Sequence, residues 1–348
     1  MPGKIKMRKI ALNLLLMSVL VLLSYAYCLA AIQNQAKFDG QKLGAVPLPP
    51  AESALQTIEA EPVTIAGKNG QTLEGALFAP NGDLLFCNVT DGKVMRLTPG
   101  GELSQVMEEH SFAPGGLAWH KDGRLFVAGV NQADMSGGII ALSPDGKTKE
   151  TIISKESGYM PNDLVFDIDG GFYFSDFRGS ATRSEGGIYH VSPDFKTITP
   201  VIPNMGQANG VALSPDGKTL WATEYAKNRL HRVNLEGATR TPLTGSKILY
   251  HFTGPAPDSM RVDEDGNVYV ALVGQGRVLI FNPAGIPIGQ VLLPDRHMGL
   301  NLRSTSLALH PEKAEMRIVS GNTQEASSRE AMIFGAPAFA KSLPVPIK

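Results

Sequence analysis

The sequence predicts an all-β protein, a six-bladed β-propeller of four-stranded antiparallel blades, and three observations carry that expectation. Short runs rich in Val, Ile, Leu, Phe and Tyr are separated by turn residues, and the 348 residues include 37 Gly and 24 Pro. A hairpin signal, a turn glycine between two such runs, recurs at Gly82, Gly123, Gly170, Gly217 and Gly266, at intervals of roughly 41 to 49 residues. Each interval holds about four strand-like runs, with no helical period between intervals.

The N-terminus stands apart from this pattern. Lys4, Lys6, Arg8 and Lys9 precede an uncharged apolar run from Ile10, and Cys28-Leu29-Ala30 offers small residues suited to cleavage. Residues 1–30 read as a signal peptide or an N-terminal membrane anchor, with the remainder exported, periplasmic or secreted. Residues 31–62 show little alternation and carry Pro47, Pro49, Pro50 and Pro62, which reads as a linker. The propeller is expected over 63–340, followed by a tail at 341–348. Five repeats are clear. A sixth, Leu302 to Phe339, has a degraded turn, and Val63 to Ile65 is expected to complete it and close the ring, removing its open edges.

Composition excludes several functions. The net charge of -1 and the lack of a basic stripe give no basis for a nucleic-acid partner. Beyond the leader Cys87 is the only cysteine, so no internal disulfide can form, and it lies in an apolar run as a packing residue. Neither a Gly-x-Ser-x-Gly elbow nor a His-Glu-x-x-His motif occurs.

The register of the repeats locates the polar residues. Eight positions before the five turn glycines lie Glu74, Gly115, Asn162, Asn209 and Asp258, and the sixth unit supplies Arg303. One position later lie Gly75, Gly116, Asp163, Gly210 and Ser259, with Ser304 in the sixth. The first strand of a propeller blade lines the central channel, so equivalent starts form one ring at one mouth. Two carboxylates about 5 Å apart repel by roughly 3 kcal/mol at an effective dielectric near 20, so Glu74, Asp163 and Asp258 together call for a cation or a shared proton. Oxygen ligands without His or Cys favour Ca²⁺, although Asn and Asp at strand starts also bond local backbone. Adjacent strand residues face opposite ways, which leaves open whether Asn162 or Asp163 faces the ion. Arg303 and Arg178 are candidates to guide an anionic substrate. Asp167-x-Asp169-Gly170 reads as a turn, since the later ligand spacing of a calcium loop is absent.

Across Leu73 to Ser304 the chain resembles the senescence-marker-protein/gluconolactonase/luciferin-regenerating family of calcium-dependent six-bladed propellers, closest to its drug-responsive lactonase branch. The segments PNDLVFDIDGGFYFSDFRG, ANGVALSPDGKTLW, PDSMRVDEDGNVYVA and GQGRVLIFN carry the resemblance. It implies that Glu74, Asn209 and Asp258 ligate calcium, with Asp163 and Ser259 joining them in the lactonase branch. It also implies that Asp258 is the acid/base residue and that Asn162 contacts substrate. The expected activity is hydrolysis of a small lactone by a calcium-dependent carboxylic-ester hydrolase. The rivals are a non-catalytic calcium-bound propeller that binds a sugar or peptide, and a strictosidine-synthase-like enzyme.

Overall fold

The computed structural model describes residues 46–235, 245–321 and 330–344. The expected leader lies outside them. Among the described residues no helix is long and apolar enough to cross a membrane.

Six sheets form the expected propeller. Blade one comprises Leu73–Phe78, Leu84–Asn88, Lys93–Leu97 and Leu103–Glu108. Blades two to five begin with Ala113–Trp119, Pro161–Phe166, Ala208–Leu213 and Pro257–Val262 as their inner strands, and blade six with Arg303–Leu309. Each inner strand pairs antiparallel with the next strand of its own blade. The five hairpin glycines all have positive φ, between 67° and 96°, a region closed to most side chains. This is why glycine marks the repeat so faithfully. The Asp167 turn is a turn indeed, its Oδ1 accepting from the backbone N–H of Asp169, Gly170 and Gly171 at 2.8, 2.9 and 3.1 Å.

The hydrophobic core is divided into layers between neighbouring blades. Val127, Ile140, Cys87 and Val94 pack blade one on blade two, while Phe126, Phe172 and Phe174 join blades two and three. Trp221, Met260, Val270 and Phe281 join blades four and five. Each buried Val, Leu, Ile or Phe contributes roughly 1.5–3 kcal/mol, so the stability is spread around the circumference. Cys87 is fully buried in one of these layers, as its apolar run suggests.

The ring is closed by strand Glu61–Asn69, which pairs antiparallel with Glu330–Pro337 as the outer strand of blade six. One part of the sequence reading is corrected at this end. Gln56–Glu59, within the expected linker, is a strand that pairs in parallel with Pro287–Leu292 and gives blade five a fifth strand. The cause is an anchor just upstream. Glu52 and Arg277 are both fully buried and form an ion pair, and Tyr250 donates a hydrogen bond to the same carboxylate. Arg277 also donates to Gln275 Oε1 at 2.7 and 3.0 Å and to Gln290 Oε1 at 2.8 Å, while Gln290 Nε2 donates to the Glu52 carbonyl at 3.1 Å.

Removing one partner of such a pair leaves a buried charge uncompensated. Glu52→Ala is therefore expected to destabilise the fold by about 3 to 5 kcal/mol in urea denaturation. A loss below about 1 kcal/mol would show that the strap contributes nothing beyond an exposed ion pair.

Candidate metal centre at the channel mouth

The six inner strands share an irregularity at one register. Their ladders shift at Glu74/Leu77, Pro114/Gly116, Pro161/Leu164, Ala208/Val211, Pro257/Met260 and Ser304/Ser306. A bulge adds a residue to one strand and re-aims its side chains. This explains how consecutive residues such as Asn162-Asp163 and Asp258-Ser259 can escape strict alternation. The backbone groups released by the bulges are satisfied by hydroxyls: Ser175 Oγ accepts from Asp163 N at 3.0 Å, Thr223 Oγ1 from Gly210 N at 2.7 Å, and Ser306 Oγ from Ala76 N at 3.2 Å.

The same bulges bring neighbouring backbones close together. A Cβ on Gly116 would stand 2.5 Å from the Asn162 carbonyl oxygen and 2.8 Å from Asp163 Cα, and one on Gly210 would stand 2.7 Å from the Asp258 carbonyl oxygen. The glycines at this register are therefore spacers. They let the polar strands of blades three and five approach their neighbours.

Glu74, Asn209, Asp258 and Ser259 meet at this mouth. Asp258 is 5% exposed and Asn209 2%, and Asn209 and Asp258 are hydrogen-bonded through their side chains. Ser259 Oγ approaches Glu74 Oε2 at 3.5 Å. Burial, then the neighbouring charges of Asp258 and Asp163, hold the Glu74 carboxyl well above its ordinary range. Burial likewise pushes Asp258 up to about 7, against the lowering influence of Asn209 and Arg303. Asn162 is half-buried one residue before Asp163. Arg303 faces both carboxyls electrostatically, and its Nε is buried without a hydrogen-bond partner.

Asp163 differs from the other ring residues. Its fully buried carboxylate accepts from Leu164 N at 2.9 Å, from Val211 N of blade four, and from Arg261 Nη1 at 3.1 Å. Burial raises its pKa, and Arg261 opposes that rise. Three carboxylates do not converge as an unpaired cluster: among the described residues no group of three or more His, Cys, Asp and Glu side chains is arranged to hold an ion. Arg261 was not among the residues that the repeat register singles out. The available signal was a charged residue inside the otherwise apolar end of an inner strand, in Ser259-Met260-Arg261-Val262.

Arg178, a candidate substrate guide by sequence, is instead paired with buried Asp176, Nε and Nη2 reaching Oδ2 at 2.8 and 2.6 Å. Asp176 also accepts from Met160 N at 3.0 Å and so pins the loop leading into the Asn162 strand. Glu224 does the same for the Asn209 strand, accepting from Gly206 N at 2.8 Å. Tyr225, the next residue, packs edge-on against Phe177 with ring centroids 5.8 Å apart. Its pKa is raised by burial and then by Asp258, which places its hydroxyl in the field of the ring. Two surface grooves of about 320 Å³ lie between blades one and six and contain no ring residue.

Residues 72–318 match the SMP-30/Gluconolactonase/LRE-like region. The chain belongs to that family. A protein of Staphylococcus haemolyticus (strain JCSC1435) named lactonase drp35 is 45% identical over 309 residues, covering 87% of this chain and 94% of its own length. The protein of the same name from Staphylococcus aureus (strain USA300) is 44% identical over 309 residues, with the same coverage. Among solved structures, the calcium-binding protein regucalcin of Agrobacterium tumefaciens strain C58 superimposes with a TM-score of 0.67 at 19% identity, over 83% of this chain and 98% of its own. A gluconolactonase from Xanthomonas campestris gives a TM-score of 0.63 at 16% identity, over 84% and 98%. These distant likenesses concern the fold.

The donor set of this SMP-30/gluconolactonase-family chain suits a hard divalent cation. Asn209 Oδ1 is buried with no hydrogen-bond donor, an arrangement costly by about 1–3 kcal/mol unless something electropositive meets it. The Glu74 and Asp258 carboxyls beside it add oxygen ligands of the kind Ca²⁺ prefers.

The supporting carboxylate Glu224 yields a test of the frame. Burial raises its pKa, but His231 Nε2 at 3.0 Å, Gly206 N and Lys227 Nζ at 3.1 Å outweigh that and bring it to about 2. The folded value lies below the ordinary 4.5, so the stabilisation is complete above about pH 4.5 and is lost as pH falls towards 2. Its size is on the order of 3 kcal/mol. Glu224→Gln is expected to lower the melting temperature at pH 7 and to converge with the wild type only at about pH 2 and below. Parallel melting curves across that range would remove Glu224 from this role.

Proposed function

We propose that the protein is a lactonase that hydrolyses a small lactone at the channel mouth with a divalent cation, Ca²⁺ by its oxygen donors. One observation carries the reading: Glu74, Asn209 and Asp258 come from three different blades to one buried ring, where Asn209 Oδ1 has no protein donor. The relatives named lactonase drp35, 45% and 44% identical over most of the chain, support the substrate class.

Glu74, Asn209 and Asp258 would hold the ion, with Ser259 beside Glu74 and Asp163 one register step further along its strand. Bound there, the ion would supply Lewis acidity to the lactone carbonyl and favour the ionised forms of both carboxyls. The remaining work belongs to side chains. Asp258 takes a proton from the attacking water as its oxygen bonds to the carbonyl carbon. The proton is returned to the ring oxygen as the acyl C–O bond breaks, leaving a hydroxy acid. Held ionised beside the ion, the Asp258 carboxylate can accept the proton of the water and pass it on within the same site. Asn209 orients Asp258 through their hydrogen bond. Asn162 and Arg303 contact the substrate, the partly exposed Arg303 guanidinium offering its charge to the developing carboxylate of the product.

The decisive measurement is turnover of a panel of sugar and aromatic lactones before and after chelation. Chelation is expected to abolish turnover and calcium to restore it. Asp258→Asn should lower kcat by on the order of 10²- to 10⁴-fold with the fold intact by circular dichroism. Calcium-dependent stability without turnover of any lactone would favour a binding propeller instead.

The basic and then apolar N-terminus supports export, to the periplasm or outside the cell. Cell fractionation with N-terminal sequencing is expected to find the protein outside the cytoplasm, either beginning near residue 31 or retained at the membrane. Recovery in the cytoplasmic fraction would refute this.

A further inference from the structure

The contacts of Arg261 place it at an unusual point of the propeller. Its Nη1 reaches Asp163 Oδ2 of blade three at 3.1 Å and the Met260 carbonyl of blade five at 2.7 Å. Its Nη2 reaches the Ala76 carbonyl of blade one at 3.1 Å. Blades one, three and five are alternate blades of a ring of six. A guanidinium a few ångströms wide can touch all three only from the middle of the channel. The contacted groups belong to the bulged segments, one or two residues beyond the ring positions Glu74, Asn162 and Asp258. Arg261 thus lies next to the ring on its inner side, with its side chain 18% exposed.

We propose that Arg261 is a positioning residue of the metal centre: an axial strut that ties three blades together, fixes the Asp163 carboxylate and forms the floor of the site. The inference rests on the calcium-lactonase reading above and deepens it. Two features make a strut the right description. The fork of the guanidinium presents several donors in a fixed plane, and three separate acceptors are met at once. Each acceptor is on a bulge, where the ladder no longer fixes the strand spacing. Arg261 supplies that missing constraint at the register where Glu74 and Asp258 must hold their separation.

A double-mutant cycle tests this, using full-length protein with calcium affinity by titration calorimetry and, separately, lactone turnover. Arg261→Met is expected to weaken calcium binding by about tenfold or more, as loss of a group orienting metal ligands does. Asp163→Asn should weaken it too. The double variant should lose less than the sum of the two single losses, because part of the strut's effect passes through Asp163. Should Arg261→Met fail to fold, Arg261→Lys keeps the charge while losing the fork, and the same cycle run with lysine should show the same coupling with a smaller loss. Additive effects, or a lower melting temperature with unchanged calcium affinity in folded protein, would overturn the inference and leave the lactonase reading standing. Wild-type protein that binds calcium but hydrolyses no lactone would remove that reading and leave the cycle legible. A wild type without calcium affinity would overturn both.

Discussion

The close approach of six bulged inner strands is the constraint on which the rest of the structure depends. Regular ladders would point every second residue of each strand into the channel and hold the strands at uniform separation. The bulges break that rule at one register, and the sequence around them meets the consequences. Glycines at 75, 116 and 210 remove the Cβ atoms that would strike the next blade. Hydroxyls at 175, 223 and 306 take up backbone N–H groups that have lost their ladder partners. Polar side chains on the bulges of blades one, three, four and five then meet at the mouth. The site is thus a property of the ring's packing rather than of any one blade.

Charge at the mouth is handled in two ways. Asp163 is neutralised within the protein by Arg261 and by backbone donors, while Glu74 and Asp258 have each other, an amide and Arg303. The first arrangement is complete without a ligand. The second leaves two carboxyls with raised pKa values and an amide oxygen with no donor, a combination that either a shared proton or a cation would relieve. The three carboxyls that share this register in sequence are thus held in two different environments.

Much of this was legible in the sequence because the repeat is local. Turn glycines need positive φ, so they mark the hairpins, and counting back from them finds Glu74, Asn162, Asn209 and Asp258 at equivalent places. Contacts that cross the ring left no such mark. Arg261 and Asp163 are 98 residues apart, and nothing in the pattern of either strand announces the other. The parallel strand Gln56–Glu59 was hidden for a related reason: it extends an existing edge through backbone hydrogen bonds, and its anchor is a single glutamate whose partner lies in blade five. The pairing of Arg178 was hidden because a surface arginine and one paired with a buried aspartate read alike until the fold brings Asp176 beneath it.

The closure of blade six by strands from both ends of the chain has a kinetic consequence. Glu61–Asn69 is among the first strands to be synthesised, yet its partner, Glu330–Pro337, is among the last. The earliest part of the propeller must therefore wait, unpaired along that edge, until nearly the whole chain is available. Pairings of such long sequence separation are slow to form, because loop-closure entropy is lost before the contacts are gained. Once made, the clasp joins the two ends of the ring, and opening it requires Glu61–Asn69 to part from Glu330–Pro337. The order of synthesis and the order of folding run in opposite directions at this seam.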